Sequence, residues 1–179
     1  VALIKGYAST LRRDDAKRDK RTISDSLTVI EDEADRLSKM IDDLLDASRL
    51  QAGGLSLNPA DVLLPTLASR IAERFATQSK NHTIVTDFPE NFPVVLADET
   101  RIEQIISNLV SNSIKYSAMG EIKISGTVSP EQVIICVSDE GKGIEAKDLP
   151  HVFDRFYRST KAVKQTKGAG LGLYLARAI

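Results

Sequence analysis

A single cysteine, Cys136, in 179 residues leaves no internal disulfide and fits a reducing compartment. Set inside the apolar run Val133-Ile134-Ile135-Cys136-Val137, it reads as a structural thiol in a buried strand. No apolar segment approaches the roughly 20 residues needed to span a bilayer, and no signal peptide is visible. Charge of one sign is not in excess. Twenty-four Lys and Arg against 25 Asp and Glu give a net charge of -1, so no global field draws the chain to nucleic acid or to an anionic membrane. Any anion it binds must be held locally. Histidine is scarce too: His82 reads as a polar loop residue, and His151, with no second His, Cys or carboxylate at ligand spacing, as packing rather than a metal ligand. What is present is a hydrophobic content of 42%, enough for one ordinary domain or two small ones.

The chain opens mid-pattern at Val1-Ala2-Leu3-Ile4 and stops inside an apparent helix at Ile179, so both ends are expected to continue in a longer protein. Leu3, Ile4, Tyr7, Ala8 and Leu11 follow helical spacing, and the charged stretch from Arg12 to Arg21 is expected as an exposed turn. Ile23, Leu27, Ile30, Ala34, Leu37, Ile41, Leu44 and Ser48 then recur at steps of four and three, an apolar seam of period about 3.5. Thr22 with Asp25 forms a candidate capping box, and Gly53-Gly54 a stop. So narrow a seam is not covered by one short helix, which predicts a hairpin that dimerises into a four-helix bundle; the alternative is a hairpin packed on its own domain. Beyond Leu55, Leu57 and Val62, an amphipathic helix is marked by Leu64, Leu67, Ala68, Ile71 and Phe75. His82 to Phe88 and Val94 to Leu96 read as short strands set off by Pro89 and Pro93.

The next helix, capped by Asp98 or Thr100 and running to Tyr116, carries two faces. Ile102, Ile105, Ile106, Leu109 and Val110 form one; Gln104, Asn108, Asn112 and Lys115 form the other. Asparagine competes for backbone hydrogen bonds inside helices, so two of them one turn apart lower helix stability and suggest a site. Amide oxygens suit a hard cation such as Mg²⁺, and a nearby ammonium suits phosphate. Ile122, Ile124 and Val128 alternate with polar residues, and Ser129-Pro130-Glu131 turns the chain into the run that ends at Asp139. With Gly141 and Gly143 behind it, Asp139 reads as a fixed acceptor in a recess for a flat polar group. Gly168-Ala169-Gly170-Leu171-Gly172-Leu173 opens a helix whose free N–H groups attract phosphate.

Four stretches together, N-L-x-x-N-x-x-K-Y at Asn108 to Tyr116, D-x-G-x-G at Asp139 to Gly143, F-x-R-F-Y-R at Phe153 to Arg158 and G-x-G-L-G-L at Gly168 to Leu173, resemble the ATP-binding boxes of two-component sensor histidine kinases. Gyrase, heat-shock chaperone and mismatch-repair ATPases share the asparagine helix and glycine boxes, but not the Phe153 to Arg158 segment or a preceding helical hairpin. Ile4-Lys5-Gly6-Tyr7 resembles the sequence just after the family's phosphoacceptor histidine. Leu44 to Leu50 resembles the end of its second helix.

The resemblance implies an α+β chain: a hairpin forming a dimeric four-helix bundle, then an α/β sandwich with a mixed sheet and helices on one face. It places the hairpin at 1–52, a linker at 53–60 and an ATP-binding domain at 61–179. It implies Mg·ATP as cofactor. Asp139 would meet the adenine amine, Gly141 and Gly143 would line the base pocket with Ile144, and Tyr116 would pack on the base. Asn108 and Asn112 would hold Mg²⁺, while Lys115 and Arg158 would meet the phosphates. Gly168, Gly170 and Gly172, with Leu171 and Leu173, would seat the phosphate chain. Phe156 and Lys167 would border a lid from Arg158 to Lys167. The implied activity is autophosphorylation of a histidine and relay to the receiver domain of a response regulator, with a homodimer as the working unit, in the cytoplasm, without direct membrane contact or nucleic acid in this stretch. By the family's pattern the acceptor histidine stands about six places before Val1, and further helix and strands follow the last glycine box. A superfamily ATPase or serine kinase and a dimeric ATP-sensing scaffold are the rival readings.

Overall fold

The computed structural model describes residues 1–12, 20–54, 56–160 and 168–179, and the chain divides into two compact units, Val1–Ser48 and Arg49–Ile179. Residues 13–19 of the expected turn from Arg12 to Arg21, the bridging Leu55, and residues 161–167 of the expected lid from Arg158 to Lys167 lie outside the described residues, while Lys20 and Arg21 of that turn are helical.

The first unit contains α1 (Ala2–Leu11) and most of α2 (Lys20–Gln51). α2 begins two residues before Thr22, so Thr22 lies within the helix and does not cap it. Its end matches the glycine stop. Gly53 takes φ +65, its N–H bonds to Leu50 O at 3.1 Å, and Gly54 N–H bonds to Arg49 O at 2.9 Å. This pair of crossed bonds satisfies the last carbonyls and needs a residue without Cβ at the left-handed position. At about 1.5 Å per residue α2 is about 48 Å long and α1 about 15 Å, so α1 can shield no more than a third of it. The seam is accordingly open: Leu27 is 52% exposed and Ile41 57% exposed, with Leu44 and Leu45 nearly as bare.

In the second unit the elements run β1 (Ala60–Val62), α3 (Leu64–Gln78), β2 (His82–Asp87), β3 (Val95–Ala97), α4 (Glu99–Tyr116), β4 (Gly120–Val128), β5 (Val133–Asp139), a short 3₁₀ turn Leu149–His151 and α5 (Gly172–Ala178). β2 pairs in parallel with β4, and β4 antiparallel with β5, giving a mixed three-stranded sheet; β1 and β3 form a separate antiparallel pair. The two short strands flanking Pro89 and Pro93 therefore belong to different sheets. β1, only three residues long and directly following Asn58-Pro59, has no pattern of its own to announce it.

The register decides which side chains meet the helices. Ile122 and Ile124 of β4 are fully buried, and their partners are Ile84 and Thr86 on β2 and Asp139 and Val137 on β5. Because residues directly paired across strands share a face, this set is the inner one. From this set Ile124, with Ile84 and Val137 beside it, packs with Leu67, Ile71, Ile106 and Val110 of α3 and α4 into the core. α3 and α4 are also laced at their exposed edge by Arg70–Glu99 and Arg74–Glu103, each at 2.6 Å. Such half-exposed pairs contribute little energy but oppose sliding.

The apolar run on β5 is not a buried strand. Ile134 is 48% exposed and Cys136 is exposed, because helices cover only the inner face of the sheet and alternate residues turn away from them. Cys136 is thus a surface thiol rather than a structural one. Gly126 on the inner face makes room for the edge-to-face pair Phe88 and Phe92, whose ring centroids are 5.2 Å apart. A Cβ at Gly126 would lie 2.5 Å from Phe88 ring carbons and 2.6 Å from Phe92 Cε2. Gly126→Ala should therefore force the two rings apart and lower the unfolding free energy by about 1–3 kcal/mol, read as an earlier urea midpoint; an unchanged midpoint would contradict the packing.

Candidate functional site

Four local structures converge beside α4. Asp98 starts this helix: its Oδ1 accepts from Arg101 N–H at 3.1 Å and its Oδ2 from Asn58 N–H at 2.9 Å. Those donors, Asn58 first and then Arg101, hold its carboxyl below the usual carboxylate range. The helix runs to Tyr116, where Ser117 closes it by donating both N–H, at 2.9 Å, and Oγ–H, at 2.7 Å, to Ser113 O.

Along α4 the polar stripe is not a solvated face. Asn108 is only 6% exposed, more hidden than Ile105 or Leu109. Its amide faces the start of α5: Nδ2 lies 3.5 Å from Gly172 O, a long hydrogen bond, and a Cβ at Gly172 would touch the amide at 3.5 Å. The asparagine box and the last glycine box are therefore in contact. Asn112, one turn on, is half-buried, and no hydrogen bond among the described residues occupies its amide. Lys115 and Tyr116 are exposed at the end of the stripe.

Asp139 ends β5 on the inner face and is exposed at its mouth. Its Oδ1 accepts from Gly141 N–H at 2.8 Å, which holds the carboxylate over the following loop. The two glycines of this box act differently. Gly143 requires positive φ, +70, and faces open space, whereas Gly141 is needed for close approach. A Cβ there would be 2.6 Å from Asp139 Oδ1 and 3.4 Å from both Tyr116 O and Ser117 Cβ. Ile144, next in line, is exposed.

The segment Phe153 to Arg158 is tied to the last glycine box through its backbone. Phe156 N–H bonds to Gly170 O at 2.9 Å, and Gly170, at φ +72, lies so near that a Cβ would fall 2.7 Å from Tyr157 O. Phe156 itself sits at φ +64, the single non-glycine at positive φ among the described residues. Such strain persists only where neighbours enforce it. The enforcing contacts include Tyr157, whose hydroxyl donates to Asp148 Oδ1 at 2.8 Å. That bond to a carboxylate is the main reason the phenol titrates above its ordinary range. The His151 ring is exposed and lies tilted beside Tyr157, centroids 5.4 Å apart, and its Nδ1 bonds Asp154 Oδ2 at 2.8 Å, a carboxylate three residues on that the spacing argument passes over. The Arg155 guanidinium lies 4.7 Å from the Phe156 ring, which is exposed. Arg158 is half-buried. Leu171 is turned into the protein, leaving a ligand mainly its backbone, while Leu173 is half-buried.

Spacing alone missed His82. It is not a loop residue: it begins β2, is half-buried, and bridges Ser79 Oγ at 2.6 Å and Ser117 Oγ at 2.8 Å. The one local hint is Ser79, three residues before it; the pairing with Ser117, 35 residues on, has no signal in the sequence. Among the described residues, no group of three His, Cys, Asp or Glu is arranged to hold a metal, and no helix is long and apolar enough to cross a membrane.

Residues 97–179 match the family described as histidine kinase-, DNA gyrase B-, and HSP90-like ATPase, and residues 1–53 match the His Kinase A (phospho-acceptor) domain. The chain is 30% identical over its full length to the sensor protein KdpD of Clostridium acetobutylicum, covering 20% of that protein. It is 33% identical over 84% of its length to the sensor histidine kinase WalK of Bacillus subtilis, covering 26% of it. The chain thus spans about a fifth to a quarter of these relatives. Among solved structures, the Acinetobacter baumannii histidine kinase AdeS aligns with 99% of the chain and 81% of its own at a TM-score of 0.72 and 26% identity. Full-length ShkA, in complex with AMPPNP, aligns with 89% of the chain and 34% of its own at a TM-score of 0.75 and 26% identity. With both domains of the pair matched in order, and with helical hairpin and mixed-sheet α/β unit both present, this chain belongs to the two-component sensor histidine kinases.

Proposed function

We propose that the second unit binds Mg·ATP and donates its γ-phosphoryl group to a histidine that the family pattern expects ahead of Val1, from which it passes to the receiver domain of a response regulator. Both histidines of these 179 residues, His82 and His151, lie in the second unit, so this stretch by itself binds ATP without phosphorylating itself. The observation that carries this reading is the contact of Asn108 with Gly172, which joins the asparagine helix to the phosphate-type glycine box, with Asp139 facing the same side of the sheet. The ATP-analogue complex of ShkA supports it.

Asp139 accepts from the exocyclic amine of adenine, and Gly141 brings the loop backbone against the base. Tyr116 packs on the ring, and Ile144 covers it. Lys115 and Arg158 meet phosphate oxygens, and the backbone of Gly168, Gly170 and Gly172 follows the phosphate chain beside Leu171 and Leu173. Phe156 and Lys167 flank this end. The donor set fits Mg²⁺, since Asn112 offers an amide oxygen with no hydrogen bond among the described residues and Asn108 lies one turn away. When bound, the metal neutralises charge spread over the phosphate oxygens, which is most of what phosphoryl transfer requires. The proposed bounds are 1–52 for the hairpin, 53–60 for a linker and 61–179 for the ATP-binding domain.

The helical unit is proposed to form a homodimeric bundle. Its bare seam is the supporting observation: Leu27, Ile41 and Leu44 remain exposed on a helix far longer than α1. Burial of such a stripe in a second copy follows the knobs-into-holes pattern of period-3.5 helices.

Two outcomes check these readings. Asp139→Ala should weaken ATP binding by about 1–3 kcal/mol, because a desolvated adenine amine loses its acceptor, and calorimetry showing wild-type affinity would sink the assignment. Leu37→Glu with Ile41→Lys should convert a dimer into a monomer in sedimentation equilibrium; a dimer that survives would mean that the seam packs on its own chain.

A further inference from the structure

We propose that His82 is a positioning residue for the adenine-recognising loop, acting through Ser117. The proposal rests on the nucleotide reading above and adds to it a residue outside every box.

The hydrogen-bond directions assign the imidazole. Ser117 donates its hydroxyl proton to Ser113 O at 2.7 Å, so it can only accept from His82 Nε2, 2.8 Å away. Nε2 therefore carries the proton, and Nδ1 accepts from Ser79 Oγ–H at 2.6 Å. The ring is a strut with defined polarity between the end of α3, where Ser79 N–H caps on Phe75 O at 3.1 Å, and the end of α4.

What the strut supports is the underside of the Asp139 loop. Ser117 is buried, and Gly141 lies against its Cβ and against Tyr116 O so closely that a Cβ at Gly141 would stand 3.4 Å from each. Gly141 N–H in turn holds Asp139 Oδ1 at 2.8 Å. Neighbouring backbone ties run the same way: Gly120 N–H bonds to Asn81 O at 3.2 Å, and Glu121 N–H to Glu140 Oε2 at 3.2 Å. His82 pairs with Gly120 on the inner face of the sheet, which is why it reaches α4 at all. Without the Nε2 donor, Ser117 loses the bond that holds it in from the sheet side, and Gly141 loses a fixed surface to rest on. Asp139 then samples orientations that no longer meet an exocyclic amine.

The test is the ratio of affinities for ADP and inosine diphosphate, which presents a carbonyl oxygen where adenine has its amine. In the 179-residue protein, calorimetry should show that His82→Ala weakens ADP about tenfold while inosine diphosphate changes little, so that discrimination collapses. His82→Gln, whose amide nitrogen can take the place of Nε2, should restore much of it. A merely structural role would weaken both nucleotides in proportion. That outcome, or wild-type ADP affinity in His82→Ala, overturns the proposal. Should His82→Ala fail to fold, Ser117→Ala removes the accepting hydroxyl while leaving the ring, and the same two outcomes decide. If the wild-type chain binds neither nucleotide, the nucleotide reading itself falls and this proposal with it.

Discussion

The pairing of Ile122 with Asp139 is the constraint on which the rest of the second unit depends. Side chains alternate across a strand, so a slip of one residue between β4 and β5 would turn Asp139 to the outer face and Cys136 inward. The register is held from the β5 side because Val133, Ile135 and Val137 pack against the core, and a slip would put Ile134, Cys136 and Ser138 in their places. A hydrophobic choice in mid-strand thus fixes the direction of a carboxylate at its end. Gly126 takes part in the same register, since its missing side chain admits Phe88 and Phe92 at one level of the sheet only.

From that point the site is assembled by close approach rather than by strong bonds. Gly141 rests on the end of α4, Gly172 on Asn108, and Gly170 on the backbone of Phe156 and Tyr157. At Gly170 and Gly141 a Cβ would clash, 2.7 Å from Tyr157 O and 2.6 Å from Asp139 Oδ1, whereas at Gly172 it would only touch the Asn108 amide at 3.5 Å. Phe156 holds its positive φ against Gly170, and Gly143 faces open space. Both border the region assigned to the ligand.

Much of this could be read beforehand where local chemistry and tertiary role agree. The bounds of α4, the Asp98 cap and the Gly53-Gly54 stop follow from backbone needs that short sequence stretches reveal. The failures have a common cause. Ile134 and Cys136 belong to a continuous apolar run, and nothing local says that helices cover only one side of the sheet. β1 is too short to show a period, Thr22 has a capping residue's chemistry but lies inside α2, and His82 owes its role to Ser117, 35 residues away. A residue whose partners come from distant segments cannot be recognised from its neighbours.

The central claim is that this pocket serves as a phosphoryl donor to a histidine. It is tested most directly by incubating γ-labelled ATP with a form of the protein that carries, ahead of Val1, the histidine that the family pattern expects, and then treating the product with acid and base. The account predicts label that is lost in acid and survives base, as a phosphorylated imidazole does. Acid-stable label on serine or threonine would contradict it.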